Sequence, residues 1–494
     1  MEFSVKQILM LNELMYLEAK PGRPFPDILG FVGKKVGDLV NIIDIDAITD
    51  PDPEHLPMIT AADWKNVLQA IKQDNTVMRM VIAEAWSGQE TGAEVSGLFL
   101  TPDRKDAVFV FRGTMTAGEW EDNFAGADVA DTPHQVNALK AYRQLYDRFH
   151  LKRTRVIVSG HSKGGNKAKY ITILDETPCR CISFNGQGFS ELFFEKYGPL
   201  ISEREKKIEN HIVDYDYVNF LLNDIGSTAY YCGYDYGVYG VAESHWLSTF
   251  MRFEDDGDFE MERSESGQAP EMKMFDHLIN SYLRSLDMKA RVSAMKTISA
   301  VAENILSLQG IVSAGAAAAA FLGLLTDEVR SRDLSYLLAY VIRYERAFPD
   351  AVSQVEGMLK RFGTDGLAKL VNEVAGMLNW KRTFFGVKLS FETLFSMIGR
   401  MDTKMPDWVY DKGISFLNKK GLEISREQIH DVLRFVDNVD RNLATLKVLT
   451  DEKERPVTEN VQIRMPVKSG AGSFLKALGE DFRLIHSYVE SIGT

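Results

Sequence analysis

Ser162 is the residue whose setting in this chain best suits covalent chemistry. It lies in Gly160-His161-Ser162-Lys163-Gly164, after the apolar, β-branched run at 156–158 and before a helix-compatible segment at 166–174. This pattern predicts a nucleophile elbow, a sharp strand-to-helix turn whose crowding the two glycines relieve. The helix that follows directs N–H groups at the serine, so the amide of Lys163 is placed to meet negative charge developing on a carbonyl.

An activated serine needs a base to take its proton and a carboxylate to orient that base. In elbow-type hydrolases the acid follows the serine along the chain and the histidine comes last. Asp216 lies just past the strand-like segment Ile208 to Val213, and Asp214 is the alternative acid. His245 stands at the right point in chain order for the base. We therefore predict a triad of Ser162, Asp216 and His245, a mechanism that requires no metal or cofactor.

The other histidines suit the base's role less well. His211 precedes both candidate acids and falls within a predicted strand. His161 is adjacent to Ser162 and cannot reach around to deprotonate it. Packing or surface roles are expected for three histidines in helical sequence, namely His277, His430 and His486.

The elements around the elbow alternate between strand-like and helix-like patterns. Strands are predicted at Glu94 to Leu100, Ala107 to Phe111, Cys181 to Phe184 and Ile208 to Val213, with a helix at Pro133 to His150 and a hairpin at Phe250 to Met261. This order predicts an α/β fold with a mainly parallel, doubly wound sheet. The active site is then expected at the carboxyl ends of the strands.

Composition narrows the functional class. With 494 residues, of which 45% are hydrophobic and 26% charged, the chain has ordinary globular composition and is long enough for two domains. The net charge of -13 argues against nucleic-acid binding, because phosphate neutralisation needs clustered Lys and Arg. Cys179, Cys181 and Cys232 are too few for a disulfide framework and lack the spacing of a zinc site. A reducing compartment is the simpler inference.

The first twenty residues do not resemble a signal peptide, because charged residues interrupt their apolar positions. Their apolar spacing predicts an amphipathic helix packed on the domain. We expect a cytoplasmic protein, with export lacking a cleaved signal and membrane association as the alternatives.

Three further segments carry a family resemblance. They are Phe111-Arg112-Gly113-Thr114, Trp120 with Glu121-Asp122-Asn123, and the elbow from Gly160 to Asn166. Together they resemble the class 3 lipase-like α/β-hydrolases, in particular a bacterial branch with a Gly-His-Ser-Lys-Gly-Gly elbow. Asn185-Gly186-Gln187-Gly188-Phe189 also resembles that branch. The resemblance covers roughly residues 1 to 265.

This resemblance implies roles for residues near the elbow. Thr114 matches the position that contributes an oxyanion donor, and the backbone N–H of Lys163 would be the second donor. Arg112 and Trp120 would be structural or would shape the pocket. Better-known lipases carry an apolar residue where Lys163 stands, and no apolar lid insertion is evident in the sequence.

The chain changes character near residue 286, so we predict an α/β-hydrolase domain at 1–285 and an all-α domain of unknown role at 286–494. Helices are predicted at Leu334 to Arg346, Ala351 to Phe362, Gly366 to Trp380 and Arg426 to Leu446, and a linker at Asp451 to Gly472. The segment Asn304 to Thr326, rich in alanine and glycine, reaches the length of a membrane span. Because these residues are only weakly apolar, a buried helix or helical hairpin is favoured over a transmembrane or membrane-inserting helix.

Three functional hypotheses follow. The first is a serine esterase or lipase that acts on a lipid or another acyl ester. The second is a pseudo-hydrolase that only binds, and the third is a membrane-active effector or toxin with phospholipase activity that contacts membrane through residues 304–326. The expected partner is the acyl-ester or lipid substrate, and any protein partner of the helical domain is unknown.

Overall fold

The computed structural model describes most of the first half of the chain and parts of the second. Described are residues 3–17, 22–50, 59–87, 95–114, 122–123, 126, 129–219, 222–234, 242–254, 257–287, 290–291, 293–298, 322–348 and 425–446, with short segments between 357 and 457. Contacts divide the chain into two compact units, Met1–Asp276 and His277–Thr494.

Among the described residues of the first unit, seven α-helices flank the sheet or pack beside those that do. They are α1 (Val5–Leu14), α2 (Val36–Val40), α3 (Ala61–Gln73), α4 (Asn75–Arg79), α5 (Pro133–Arg148), α6 (Lys163–Leu174) and α7 (Glu191–Arg204). Helix α1 is the helix predicted near the amino end. Ser4 starts it through a capping box with Gln7, so two of the N–H groups at its first turn are satisfied.

Seven strands form the main sheet in the order in which they occur along the chain. They are β1 (Val81–Trp86), β2 (Ser96–Leu100), β3 (Asp106–Phe111), β4 (Arg155–His161), β5 (Pro178–Phe184), β6 (Ile208–Val213) and β7 (Ser227–Tyr231). Strands β1 to β3 pair antiparallel, and β3 to β7 are parallel neighbours. The prediction of an α/β fold with a mainly parallel sheet is confirmed. A short hairpin of β8 (Arg252–Phe253) and β9 (Phe259–Glu260) lies where one was predicted.

The doubly wound topology predicted from the sequence is wrong. A doubly wound sheet needs a strand order that reverses, so that crossover helices cover both faces. Here the parallel strands succeed one another in a single direction, and right-handed crossovers then place α5, α6 and α7 on one face. Ile171 of α6 and Phe193 of α7 pack there against Phe109 of β3.

The N-terminal helices cover the opposite face. Leu11 of α1 and Leu68 of α3 belong to the same buried cluster as Val108 and Ile157. Because side chains alternate along a strand, neighbouring residues of β3 enter the two different cores. Helix α1 therefore lies directly against the strands that lead to Ser162, with contacts to β3, β4 and β5.

The second unit contains helices, as predicted, and two short strand pairs that were not. The described helices include α8 (Pro270–Arg284, which starts at the end of the first unit), α9 (Glu328–Ala347) and α10 (Arg426–Thr445). The strand pairs are β10 (Lys381–Phe384) with β11 (Val387–Ser390), and β12 (Val448–Leu449) with β13 (Pro456–Val457). Ile342 and Val439 are buried in the core where α9 and α10 meet.

Several predictions for this half fall on residues outside the described ones. The predicted helices at 351–362 and 366–380 do so almost entirely, and so do His486, most of the linker at 451–472, and residues 304–321 of the alanine-rich segment. Among the described residues, no helix combines the length and apolar character needed to cross a bilayer.

Candidate active site

Ser162 occupies a strained turn between β4 and α6. Its φ and ψ are 57° and -125°, a combination that non-glycine residues rarely adopt. The strand ends at His161 and the helix starts at Lys163, so only Ser162 lies between them. A Cβ atom on Gly160 would overlap the backbone of Gly164, which explains the glycine at that position. This strained strand-to-helix turn is the one that the sequence predicted as an elbow.

Asp216 and His245 are in direct contact beside this turn. His245 Nδ1–H donates to Asp216 Oδ1 over 2.5 Å, and both side chains are buried. The second oxygen of Asp216 accepts from the backbone N–H groups of Val218 (3.1 Å) and Asn219 (2.7 Å). Three donors therefore hold the carboxylate. Because an ionised carboxylate only accepts hydrogen bonds, it selects the His245 tautomer that carries its proton on Nδ1.

The alternative acid, Asp214, has a different environment. Its Oδ1 accepts from the backbone N–H of Gly233 over 3.1 Å, and its carbonyl accepts from Ala269 N–H. Asp214 therefore ties together the loops after β6 and β7. Of the two carboxylates left open by the sequence, Asp216 is the one that contacts His245.

His245 also lies against the elbow. Its ring centroid is 4.6 Å from that of His161, the residue that precedes Ser162. His245 Nε2 is buried and has no hydrogen-bond partner among the described residues, so Ser162 Oγ does not bond to it in this structure. Nucleophile and base in substrate-free hydrolases often approach hydrogen-bonding distance only when substrate binds.

A hydrogen-bonded chain through His161 supports this arrangement. His161 Nε2–H donates to the main-chain carbonyl of His245 (2.8 Å), while Tyr16 Oη–H donates to His161 Nδ1 (2.6 Å). Tyr16 in turn accepts from Gly113 N–H over 3.0 Å. Burial and the adjacent His245 hold the pKa of His161 well below its usual value, so its ring stays neutral. Tyr16 was not anticipated, because nothing in its local sequence distinguishes it from a packing residue.

A second unanticipated residue is Asn185, in the turn after β5. It adopts φ 44°, accepts from Val213 N–H through Oδ1 (2.9 Å) and donates through Nδ2 to the His245 carbonyl (3.3 Å). Asn185 therefore connects the end of β6 to the segment that carries His245.

Thr114 lies at the edge of the sheet where Ser162 is found. Because β3 and β4 are parallel and Phe111 pairs with Gly160, the residues after the two strands emerge side by side. A Cβ on Gly113 would approach Ser162 Cβ to 2.8 Å, so this backbone runs directly past the serine. Thr114 Oγ1 accepts from Asn123 Nδ2 over 2.8 Å. Arg112 is buried, and Trp120 lies outside the described residues.

The side chain of Lys163 has a role that the sequence did not indicate. It is buried, and its Nζ lies 2.8 Å from Oδ2 of the equally buried Asp122. The backbone N–H of Lys163 belongs to the first turn of α6, the end of the helix that faces Ser162. One residue thus contributes a main-chain donor and a side-chain ion pair.

Three other histidines lie in β6, α8 and α10. His211 is in β6 as predicted, where its Nδ1 lies 2.7 Å from Tyr231 Oη and burial lowers its pKa. His277 lies in α8 with Nδ1 2.7 Å from Tyr344 Oη, and His430 is in α10.

The sheet and its flanking helices make up a mostly parallel α/β fold. Residues 89–298 match the model of the Mbeg1-like family, a lipase-like family. No curated protein matches the chain.

Three solved lipase structures are similar to parts of the chain. They are a fungal lipase in complex with an inhibitor (14% identity, 32% of this chain and 67% of that one, TM-score 0.26), the Rhizomucor miehei lipase propeptide complex (14%, 46% and 66%, 0.29) and Lip2 lipase from Yarrowia lipolytica (11%, 38% and 72%, 0.26). The chain spans about two thirds of the length of the first two.

Proposed function

We propose that this protein is a serine hydrolase that cleaves carboxylic esters. The observation that carries the proposal is the buried contact between His245 Nδ1 and Asp216 Oδ1 next to a serine in a strained elbow. Ser162 Oγ attacks the ester carbonyl while His245 Nε2 takes its proton, and Asp216 offsets the charge that the imidazole gains. The unpartnered, buried Nε2 atom is the acceptor that this step needs.

The tetrahedral intermediate places negative charge on the former carbonyl oxygen. The backbone N–H of Lys163, at the amino end of α6, and the Oγ1–H of Thr114 are the proposed donors to this oxygen. Asn123 Nδ2 already donates to Thr114 Oγ1, which directs the hydroxyl proton of Thr114 elsewhere. Each oxyanion donor contributes about 3 kcal/mol in comparable sites.

The reaction then passes through an acyl-enzyme. His245 returns its proton to the leaving alcohol, the ester C–O bond breaks, and the acyl group stays on Ser162 Oγ. Water attacks the acyl carbonyl while His245 again takes a proton, and release of the carboxylic acid restores the serine. Lipids and other acyl esters are the proposed substrate class.

The test is the intact mass of the purified protein after exposure to a fluorophosphonate probe. We expect a single adduct on the wild type that is absent from Ser162→Ala and His245→Ala. Ser159→Ala and His211→Gln are the matched controls, because they change a buried serine of β4 and a buried histidine of β6, and both should retain the adduct. If the wild type is labelled, its hydrolysis of p-nitrophenyl esters of increasing acyl length then measures the preference for chain length.

A folded wild-type protein that gives no adduct and cleaves no ester would contradict the proposal and favour a non-catalytic binding module. Contact with a lipid surface through residues 304–326 is a separate proposal. It is tested by flotation with liposomes, and protein that stays in the soluble fraction with and without anionic lipid would exclude it.

A further inference from the structure

Lys163 carries its charge into the interior of the protein. Its side chain is 2% exposed and that of its partner Asp122 is 5% exposed. Burial of two charges costs several kcal/mol per ion and is recovered only with close contact and additional hydrogen bonds. The stability of this buried pair therefore depends on the other hydrogen bonds that Asp122 accepts.

Asp122 connects the elbow to the start of α5. Its Oδ2 accepts from Thr132 Oγ1 (2.7 Å) in addition to Lys163, and its Oδ1 accepts from His134 N–H (3.1 Å). Burial alone would raise the pKa of Asp122, but the charge and hydrogen bond of Lys163, together with the hydrogen bond from Thr132, hold the pKa below its usual value. The carboxylate is thus fully bonded, with Lys163 as its nearest cation.

The next residue, Asn123, reaches the proposed oxyanion donor. Its Nδ2 donates to Thr114 Oγ1 over 2.8 Å, and its carbonyl accepts from Gln187 Nε2 over 3.1 Å. A continuous path therefore runs from the Lys163 ammonium to Asp122, along the backbone to Asn123, and to the hydroxyl of Thr114.

We propose that the Lys163 side chain is a positioning residue that orients the Thr114 hydroxyl for the oxyanion. This rests on the proposed function. Lys163 would then serve both halves of the oxyanion site, one through its backbone N–H and the other through the ion pair with Asp122. An apolar side chain at position 163 keeps the first contribution and loses the second.

The test is a double-mutant cycle on ester hydrolysis with Lys163→Met, Thr114→Val and the combined variant. Each single change should lower kcat about 100-fold, the effect of losing one oxyanion donor, with KM within about threefold. Both changes remove the same donor. The kcat of the combined variant should therefore be no more than about threefold below that of the less active single variant. Losses that multiply to about 10⁴-fold would overturn the proposal.

Lys169→Met is the matched control for burial and charge. Lys169 is buried on the same helix and bonds to Asp224, in the loop before β7. We expect this variant to be less stable yet to retain the wild-type kcat. A loss of kcat equal to that of Lys163→Met would overturn the positioning role. If Lys163→Met does not fold, Asp122→Asn breaks the pair from its other end and should lower kcat in the same way.

Amide hydrogen exchange separates this inference from the proposed function. In Lys163→Met, exchange at residues 113–114 and 122–123 should become faster, while it should stay unchanged there in Lys169→Met. Unchanged exchange at these amides in Lys163→Met would overturn the inference even if the wild type is active. Faster exchange in a protein that lacks esterase activity would support the ion-pair path and reject the function.

Discussion

His161 donates a hydrogen bond from Nε2–H to the main-chain carbonyl of His245, although 84 residues separate them along the chain. The first histidine is adjacent to the candidate nucleophile, and the second is the candidate base. The turn at Ser162 therefore helps to fix the position of His245. The connection is the neutral imidazole of His161, which Tyr16 orients from the other side.

Replacement of His161 should impair catalysis without touching the triad. His161→Phe keeps a ring of similar size but leaves the Tyr16 hydroxyl and the His245 carbonyl with one partner fewer. We expect kcat to fall about tenfold, because the His245 carbonyl loses one of its two hydrogen bonds and a lost hydrogen bond costs about 1 kcal/mol. Steady-state kinetics on a soluble ester measure this effect. His211→Phe, which also removes a buried histidine, should leave kcat unchanged, and equal losses in both variants would contradict the prediction.

The acid limb of the kcat/KM profile should follow a single proton. Burial and then His245 hold the pKa of His161 well below its usual value, so His161 adds no second protonation to the acid limb. We therefore expect a slope of one in log kcat/KM against pH, and the same slope in Tyr16→Phe. A slope of two in the wild type would show that His161 titrates in the same range.

Asp216 and Asp214 provide a matched pair of carboxylates two residues apart. Asp216→Asn removes the acceptor that selects the His245 tautomer, and we expect kcat to fall about 10⁴-fold. Asp214→Asn can still accept from Gly233 N–H, so kcat should stay within about threefold. Ester hydrolysis and fluorophosphonate labelling measure both, and the reverse ranking would assign the acid to Asp214.

Gly164 should tolerate no side chain. A Cβ atom there would overlap the carbonyl oxygen of Phe111, a backbone atom that cannot turn aside. We expect Gly164→Ala to lower the free energy of unfolding by more than about 3 kcal/mol. A Cβ atom on Gly30 would have no atom within 4 Å of it. Gly30→Ala should therefore change the free energy of unfolding by less than about 0.5 kcal/mol. Urea denaturation compares the two, and a mild effect at position 164 would contradict the packing of α6 on β3.

Glu13 makes the stability of the protein depend on pH. It lies in α1 with both carboxyl oxygens buried, and in the part of the chain that the structure describes neither oxygen has a hydrogen-bond partner. Burial, and then Asp63, raise its pKa well above the ordinary value of 4.5. A raised pKa means that the contribution to stability is complete below pH 4.5 and is lost as the pH rises through the folded-state pKa.

We therefore expect Glu13→Gln to match the wild type near pH 4 and to exceed it at pH 8 by more than about 1 kcal/mol, because each unit of pKa shift corresponds to about 1.4 kcal/mol. Urea denaturation across this range measures the difference. Glu195→Gln, an exposed change on α7, should follow the wild type at every pH. Parallel curves for Glu13→Gln and the wild type would contradict the raised pKa.

The local pattern determined much of this fold. β-branched runs, helical spacing and glycines at 160 and 164 were enough to predict strands β2 to β6, helices α5 and α6, and the turn at Ser162. These features depend on residues a few positions apart, and the chemistry of each segment favours one conformation. The order of an acid and a histidine after the serine likewise singled out His245 and two carboxylates.

Only the tertiary structure decided which groups meet. Asp214 and Asp216 belong to one loop, and its backbone path alone turns Asp216 to His245. The contact between Lys163 and Asp122 spans 41 residues, and that between Tyr16 and His161 spans 145. The direction in which successive strands add to the sheet decides which face the crossover helices cover, and α1 covers the opposite face. Such contacts are set by strand order and register, which join distant segments and leave no periodic trace in the sequence around each residue.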